Sequence, residues 1–293
     1  MNTTTNLTAS SGFSSVLAQS AKFALQWRLV LLWVVALLIP TAIMTLPLWQ
    51  IMSAQLNNSV YAGELAHKLN MNAINDIMYA MSINKLLLQE AGIGALLSTL
   101  ALSPFLSGAI VTAARSSAPL ATGRLVHGGI AEYWRMFRMM VWAIVPFGIA
   151  GGVTAGVMHW SDANAENAIL QSSADFGSHI ALATMVILLI VADASLDAAR
   201  AQFVHNTSRR SVIKAWWTGV KLVFKRPLTT LGFFILITVI GLIVAFLFAC
   251  LREQFDHVSL LGFVIGLILT QLIVATSAWI KGARLFALAS MSR

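Results

Sequence analysis

The sequence predicts an all-α, polytopic membrane protein: six transmembrane helices arranged as three repeated units of amphipathic helix plus helical hairpin. Three observations predict it. First, of 293 residues 58% are hydrophobic and only 10% charged, whereas an ordinary globular domain is roughly 45–50% apolar and about 25% charged; mean hydropathy is +0.79. Second, charge-free apolar stretches of about 20 residues, the length that crosses roughly 30 Å of hydrocarbon, recur along the chain. Third, three helix ends repeat. The composition excludes a soluble enzyme, a disordered chain and a secreted disulfide scaffold. Cys250 is the only cysteine, so an intramolecular disulfide and a multi-cysteine metal site are excluded as well.

The elements follow in order. Residues 1–28 begin Ser/Thr-rich, without a basic start or a small-residue cleavage site after the apolar run, so no cleaved signal peptide is expected. Within them Phe13, Val16, Leu17, Ala24 and Trp27 share one helical face. The first span covers 29–49. An outer loop, 50–90, is Asn-rich, and Ile74, Ile77, Met78 and Met81 lie on one helical face; it predicts a surface helix or a cap, too small to be an independent domain. The second span covers 91–114. Val126, Ile130, Tyr133, Trp134 and Phe137 then form an apolar stripe ahead of a third span at 139–160. The fourth span, 177–198, is weaker because it meets Asp193 and Asp197. Val212, Trp216, Val220, Val223 and Phe224 make the next stripe, with Arg210, Lys214, Lys221 and Lys225 on another face. These are spacings of helices lying in the membrane interface. Pro227 suits the first turn of the fifth span, 228–251. The sixth span covers 258–280, and 281–293 form a tail. The whole of 1–293 reads as a single membrane domain.

Cation placement predicts orientation. Sixteen of the nineteen Lys+Arg fall on one side: Lys22, Arg28, Arg115, Arg124, Arg135, Arg138, Arg200, Arg209, Arg210, Lys214, Lys221, Lys225, Arg226, Lys281, Arg284 and Arg293. Only Lys68, Lys85 and Arg252 fall on the other, where Glu64, Asp76, Glu90, Asp162, Glu166, Asp175, Glu253 and Asp256 also lie. Both termini are therefore expected in the cytoplasm, with a bacterial inner membrane and its anionic inner leaflet as the setting. The net charge of +8 is then mostly topology, and nucleic acid is not an expected partner. Trp27, Trp49, Trp134, Trp160, Trp216, Trp217 and Trp279 stand near span ends, as interfacial anchors do; Trp33 and Trp142 fall inside spans.

The repeat is carried by three octets: GlyAlaIleValThrAlaAlaArg at 108–115, AspAlaSerLeuAspAlaAlaArg at 193–200 and SerAlaTrpIleLysGlyAlaArg at 277–284. Arg115, Arg200 and Arg284 are spaced 85 and 84 residues apart, and the pattern marks an internal repeat. The arrangement loosely resembles uncharacterised families of six-span bacterial inner-membrane proteins, in which a small-residue helix end with Arg leads into a basic amphipathic segment. That resemblance implies a fold type and no assigned activity.

Gly148, Gly152 and Gly156 in the third span, and Gly262 and Gly266 in the sixth, predict close helix packing, within the chain or in a homo-oligomer. Pro40, Pro104 and Pro146 predict kinks, with Pro47 near the end of the first span. Ionisable side chains inside a span are costly and often functional. Asp193 and Asp197, one turn apart, share a face with Arg200 at the cytoplasmic end of the fourth span. They read either as a cation or proton site or, as the favoured reading, as acids leaving the hydrocarbon and pairing with Arg200 or the basic face around Lys214. No phosphate-binding loop, HExxH or GxSxG motif is present. The histidines have no ligand spacing; His159, His179 and His257 are expected as interfacial surface residues rather than metal ligands. No catalytic, cofactor-binding or metal residue is therefore assigned, and no cofactor is expected. The favoured function is a scaffold or accessory component of an envelope process, with a membrane-protein partner or homo-oligomer. The alternative is a transporter, a permease or the membrane subunit of a transport complex. Its only candidate polar path is Pro104 with Ser98, Thr99, Ser103 and Ser107. A membrane-embedded enzyme is the third reading.

Overall fold

The computed structural model describes residues 13–57, 71–116, 118–166, 171–207, 211–255 and 259–291. Every regular element among them is a helix: α1 (Phe13–Ala24), α2 (Trp27–Leu56), α3 (Met71–Ile83), α4 (Lys85–Arg115), α5 (Thr122–Trp142), α6 (Ile144–Glu166), α7 (Gln171–His205), α8 (Val212–Lys225), α9 (Pro227–Glu253) and α10 (Leu260–Met291). Six helical runs are long and apolar enough to cross a membrane: α2, α4, the α5–α6 run, α7, α9 and α10. The protein is an all-α, multi-pass membrane protein.

Three hairpins, α2–α4, α6–α7 and α9–α10, are packed along their lengths. A shorter amphipathic helix precedes each one, and it packs on a different hairpin: α5 on α4, α8 on α7, and α1 on α10. The first and last helices thus close a ring at one end of the bundle, called the basic end below. Helices α4, α7 and α10 touch one another inside this ring.

Small residues let these crossings form. A Cβ on Gly219 of α8 would stand 2.7 Å from Ala199 N and 2.8 Å from Ser195 O of α7, backbone atoms that cannot move aside. One on Gly128 of α5 would overlap Thr112 of α4. Ala24 of α1 sits close to Gly282 of α10, where an added Cβ would stand 3.3 Å from that of Ala24.

The core is not at mid-membrane. Only 17–28% of the apolar window of each span is buried, and Leu31, Leu38, Leu96, Ile187, Leu242 and Phe263 are exposed, as a lipid-facing surface requires. Burial concentrates at the basic end, in Leu106, Ala109, Val111, Leu196, Ala198, Phe203, Leu285 and Leu288.

The structure redraws several sequence boundaries. Helices α7 and α10 do not stop at their octet arginines but run on to His205 and Met291, because Ala201, Phe203, Leu285 and Leu288 are core residues. Most of the expected 281–293 tail is therefore helix. Pro146 accompanies a break in the third span rather than a bend within one continuous helix. It occupies the first turn of α6, after a break at Ala143, where its missing N–H is tolerated. Trp142 is the last residue of α5, at the break within the α5–α6 run. Pro40, Pro47 and Pro104 do lie inside continuous helices. Among the described residues, a Cβ on Gly148, Gly152 or Gly156 meets nothing within 4 Å. Gly262 and Gly266 are buried on α10, with Arg252 of α9 nearby. The outer loop contains α3, which buries Ala80 and leaves Met78 exposed; residues 58–70 lie outside the described part. Phe224 of the predicted α8 stripe is exposed, the buried face being Val212, Ala215, Gly219 and Val223.

Candidate functional site

The densest chemistry in the protein is a layer of charge inside the basic end. Asp193 and Asp197 stand one turn apart on α7 and face α10. Arg284 of α10 reaches both: Nη2 donates to Asp193 Oδ2 at 2.8 Å and Nε to Asp197 Oδ2 at 2.8 Å, with a further short contact from Nη2 to Asp197 Oδ2. Arg200 Nη1 donates to the other oxygen, Asp197 Oδ1, at 2.6 Å. Both oxygens of Asp197 are thereby taken by guanidinium groups. The guanidinium of Arg284 also lies 3.9 Å from the centre of the Phe234 ring on α9, a cation–π contact strengthened by desolvation. Lys281 Nζ stands 5.3 Å from the Trp33 ring of α2. This layer joins α2, α7, α9 and α10. Asp197 is 4% exposed and Arg284 6%, so neither is an interfacial surface charge.

On the α4 side the layer is bounded by a cavity of about 30 Å³, lined by Ser103, Ser107, Ile110, Asp197, Arg200, Lys281 and Leu285. A water needs roughly 10–15 Å³ by this measure, so the space suits one or two waters between polar groups. The other candidate hydroxyls on α4 are turned back on their own helix: Ser98 Oγ and Thr99 Oγ1 both donate to Ala95 O.

A second charged knot lies between α4, α5 and α7. Glu132 of α5 is buried; it accepts a hydrogen bond from Arg115 Nη1 at 2.7 Å and forms an ion pair with Arg135 Nη1 at 2.9 Å. Arg115 Nη2 also donates to Phe203 O at 2.7 Å, and Arg135 Nη2 to Thr207 O. Two cations therefore sit on the carbonyl end of α7, where the helix dipole and the orphan C=O groups favour them. The same device recurs around the ring. His205 bonds Ala289 O near the end of α10 at 2.7 Å, and Trp279 Nε1 donates to Ala21 O near the end of α1 at 3.0 Å.

Of the favoured sequence reading the Asp197–Arg200 pair is present, and the partner shared by both acids is Arg284, 91 and 87 residues away. Lys214 is exposed on α8. The three octet arginines share one end of the bundle but not one role: Arg115 binds Glu132, Arg200 binds Asp197 beside it, and Arg284 bridges to α7. Glu132 was not among the sequence-derived candidates. Its signal was there: it is an acid among Arg124, Arg135 and Arg138, three residues before Arg135. Trp216 and Trp279, expected as anchors, instead direct their indole N–H inward, Trp216 to Ser195 Oγ at 3.1 Å. Trp27, Trp49, Trp134, Trp160 and Trp217 are exposed.

Among the described residues no three His, Cys, Asp or Glu side chains gather into a group that could hold a metal; His257 and Asp256 lie outside them. No protein-family model, curated protein or solved structure matches the chain.

Proposed function

We propose that this integral membrane protein is a scaffold or accessory component of an envelope process, seated in a bacterial inner membrane with its basic end and both termini in the cytoplasm. One observation carries the reading. The charges inside the basic end are spent on one another: Asp193, Asp197, Arg200 and Arg284 lock α7 to α10, and Glu132 with its two arginines ties α4 and α5 to the end of α7. Outside this rigid plug, Lys22, Arg124, Arg138, Lys214, Lys221, Lys225 and Arg226 are exposed. A ring of amphipathic helices with outward cations suits an anionic leaflet, at about 1 kcal/mol for each Lys or Arg near it. The octets and the matching order of short helix and hairpin support descent from three copies of one unit.

A second reading, the membrane subunit of a transport complex, draws on one feature, the polar cavity beside Pro104. The test is reconstitution of the purified protein into liposomes, with flux assays for ions, small solutes and labelled lipid, alongside affinity capture of partners from membranes. The scaffold reading expects a silent liposome and a captured membrane complex. Unaided movement of a solute or lipid would overturn it.

A further inference from the structure

At the corner where α1 turns into α2, both polar atoms of one side-chain amide are buried without partners. A cavity of about 350 Å³ opens there, walled by Lys22, Leu25, Gln26, Trp27, Arg28 and Pro119 with its neighbour. Gln26 is only 9% exposed, yet its amide Nε2 and Oε1 are both buried with no hydrogen-bond partner. Gln26 is also the N-cap of the 30-residue α2, and its side chain makes no capping bond. Leaving a buried amide unsatisfied is costly, and an orphaned buried group calls for a ligand, ion or water. The cavity is far larger than the roughly 10–15 Å³ that one water needs by the same measure.

The surrounding chemistry selects the ligand. Lys22 and Arg28 supply two positive charges, and the uncapped N-terminus of α2 adds a third anion-attracting element. Gln26 Nε2 is a donor for an anion, whereas Oε1 needs a donor from the ligand itself. A phosphate diester bearing a hydroxylated headgroup meets both needs. Leu25 is 64% exposed and Trp27 67%, so the mouth of the cavity is flanked by apolar side chains at the start of a span, at headgroup level. Free phosphate would satisfy the cations but make no use of that flank. We infer that this corner is a binding site for the headgroup of an anionic glycerophospholipid such as phosphatidylglycerol. The inference rests on the proposed placement of the basic end at an anionic leaflet, and sharpens it from a diffuse charged surface to one built pocket.

The test uses the full-length protein in neutral detergent, titrated separately with phosphatidylglycerol, phosphatidylcholine and inorganic phosphate and read by native mass spectrometry. One phosphatidylglycerol should be retained per chain in preference to phosphatidylcholine, with inorganic phosphate failing to displace it. Lys22→Ala and Arg28→Ala should each weaken retention about fivefold, the factor equivalent to one cation at an anionic surface. Gln26→Leu should weaken it about tenfold. Gln26→Glu, nearly the same size, should do so while circular dichroism stays unchanged, which separates lost binding from lost folding. The paired variant Lys214→Ala/Lys221→Ala, on the exposed face of α8, should bind normally. Equal retention of the two lipids, displacement by inorganic phosphate, or an equal loss in the α8 variant would each overturn the pocket. A chain that keeps its lipid but moves solute in liposomes defeats the scaffold reading and leaves the pocket standing; a silent chain without lipid preference does the reverse.

Discussion

Replacing Arg284 by Met tests whether the charged layer holds the basic end together. Met fills much of the arginine stem but removes every donor. The substitution deletes three hydrogen bonds to Asp193 and Asp197 and leaves two carboxylates facing an apolar helix. Interhelical hydrogen bonds in membrane proteins average about 0.6 kcal/mol in double-mutant cycles, so the bonds alone account for roughly 2 kcal/mol. Removing one partner of a buried ion pair typically costs about 3–5 kcal/mol. Asp197 keeps Arg200, which places the expected loss at the low end, near 3 kcal/mol. The assay is reversible unfolding of the purified protein in mixed micelles by increasing SDS, followed by tryptophan fluorescence. A cycle with Asp197→Asn should return a coupling of about 1–3 kcal/mol. Restoration by Arg284→Lys should be partial, because an ammonium lacks the planar fork that engages two carboxylates. A loss below about 0.5 kcal/mol, or additivity of the two single changes, would refute the argument that this pair latches α7 to α10.

Three further outcomes follow from the same geometry. Glu132→Gln should leave Arg115 and Arg135 without their shared carboxylate and loosen α5 from the end of α7, read as faster proteolysis in the 116–121 connection; unchanged cleavage would exclude a clamp. Gly219→Ala should destabilise by about 1–3 kcal/mol, because the added methyl meets backbone rather than a flexible side chain, whereas Gly152→Ala, in open space, should be neutral or gain up to about 1 kcal/mol from helix propensity. Equal effects in the SDS titration would contradict the packing described. For topology, a membrane-impermeant maleimide applied to intact spheroplasts should label a Gln254→Cys variant, at the exposed end of α9, and should not label a Ser290→Cys variant, both made in a Cys250→Ala background; the opposite pattern reverses the orientation.

Much of the fold was legible in the sequence. The six apolar runs, the amphipathic stretches before alternate spans and the clustering of Lys and Arg depend on composition and local periodicity, and lipid makes those signals strong because an exposed backbone must satisfy its own hydrogen bonds. Less was legible at helix ends. The alanine-rich continuations of α7 and α10 look like weak span termini by hydropathy, yet they form the protein core, because burial there comes from the encircling amphipathic helices and not from lipid. The glycines show the same limit from the other side. Gly148, Gly152 and Gly156 carry the stronger pattern and face open space, whereas Gly219, with no pattern around it, lies within backbone contact of α7.

The acids and arginines mark the division most clearly. That Asp193, Asp197 and Arg200 share a helical face was determined by their spacing alone, since i, i+4 and i, i+3 positions are neighbours on any α-helix. That Arg284 is the main partner, that Glu132 is buried, and that Gln26 is left with an empty corner were decided only by tertiary structure. Each depends on which helices the ring closure brings together, and a one-dimensional pattern carries no record of contacts between α1 and α10 or between α7 and α10.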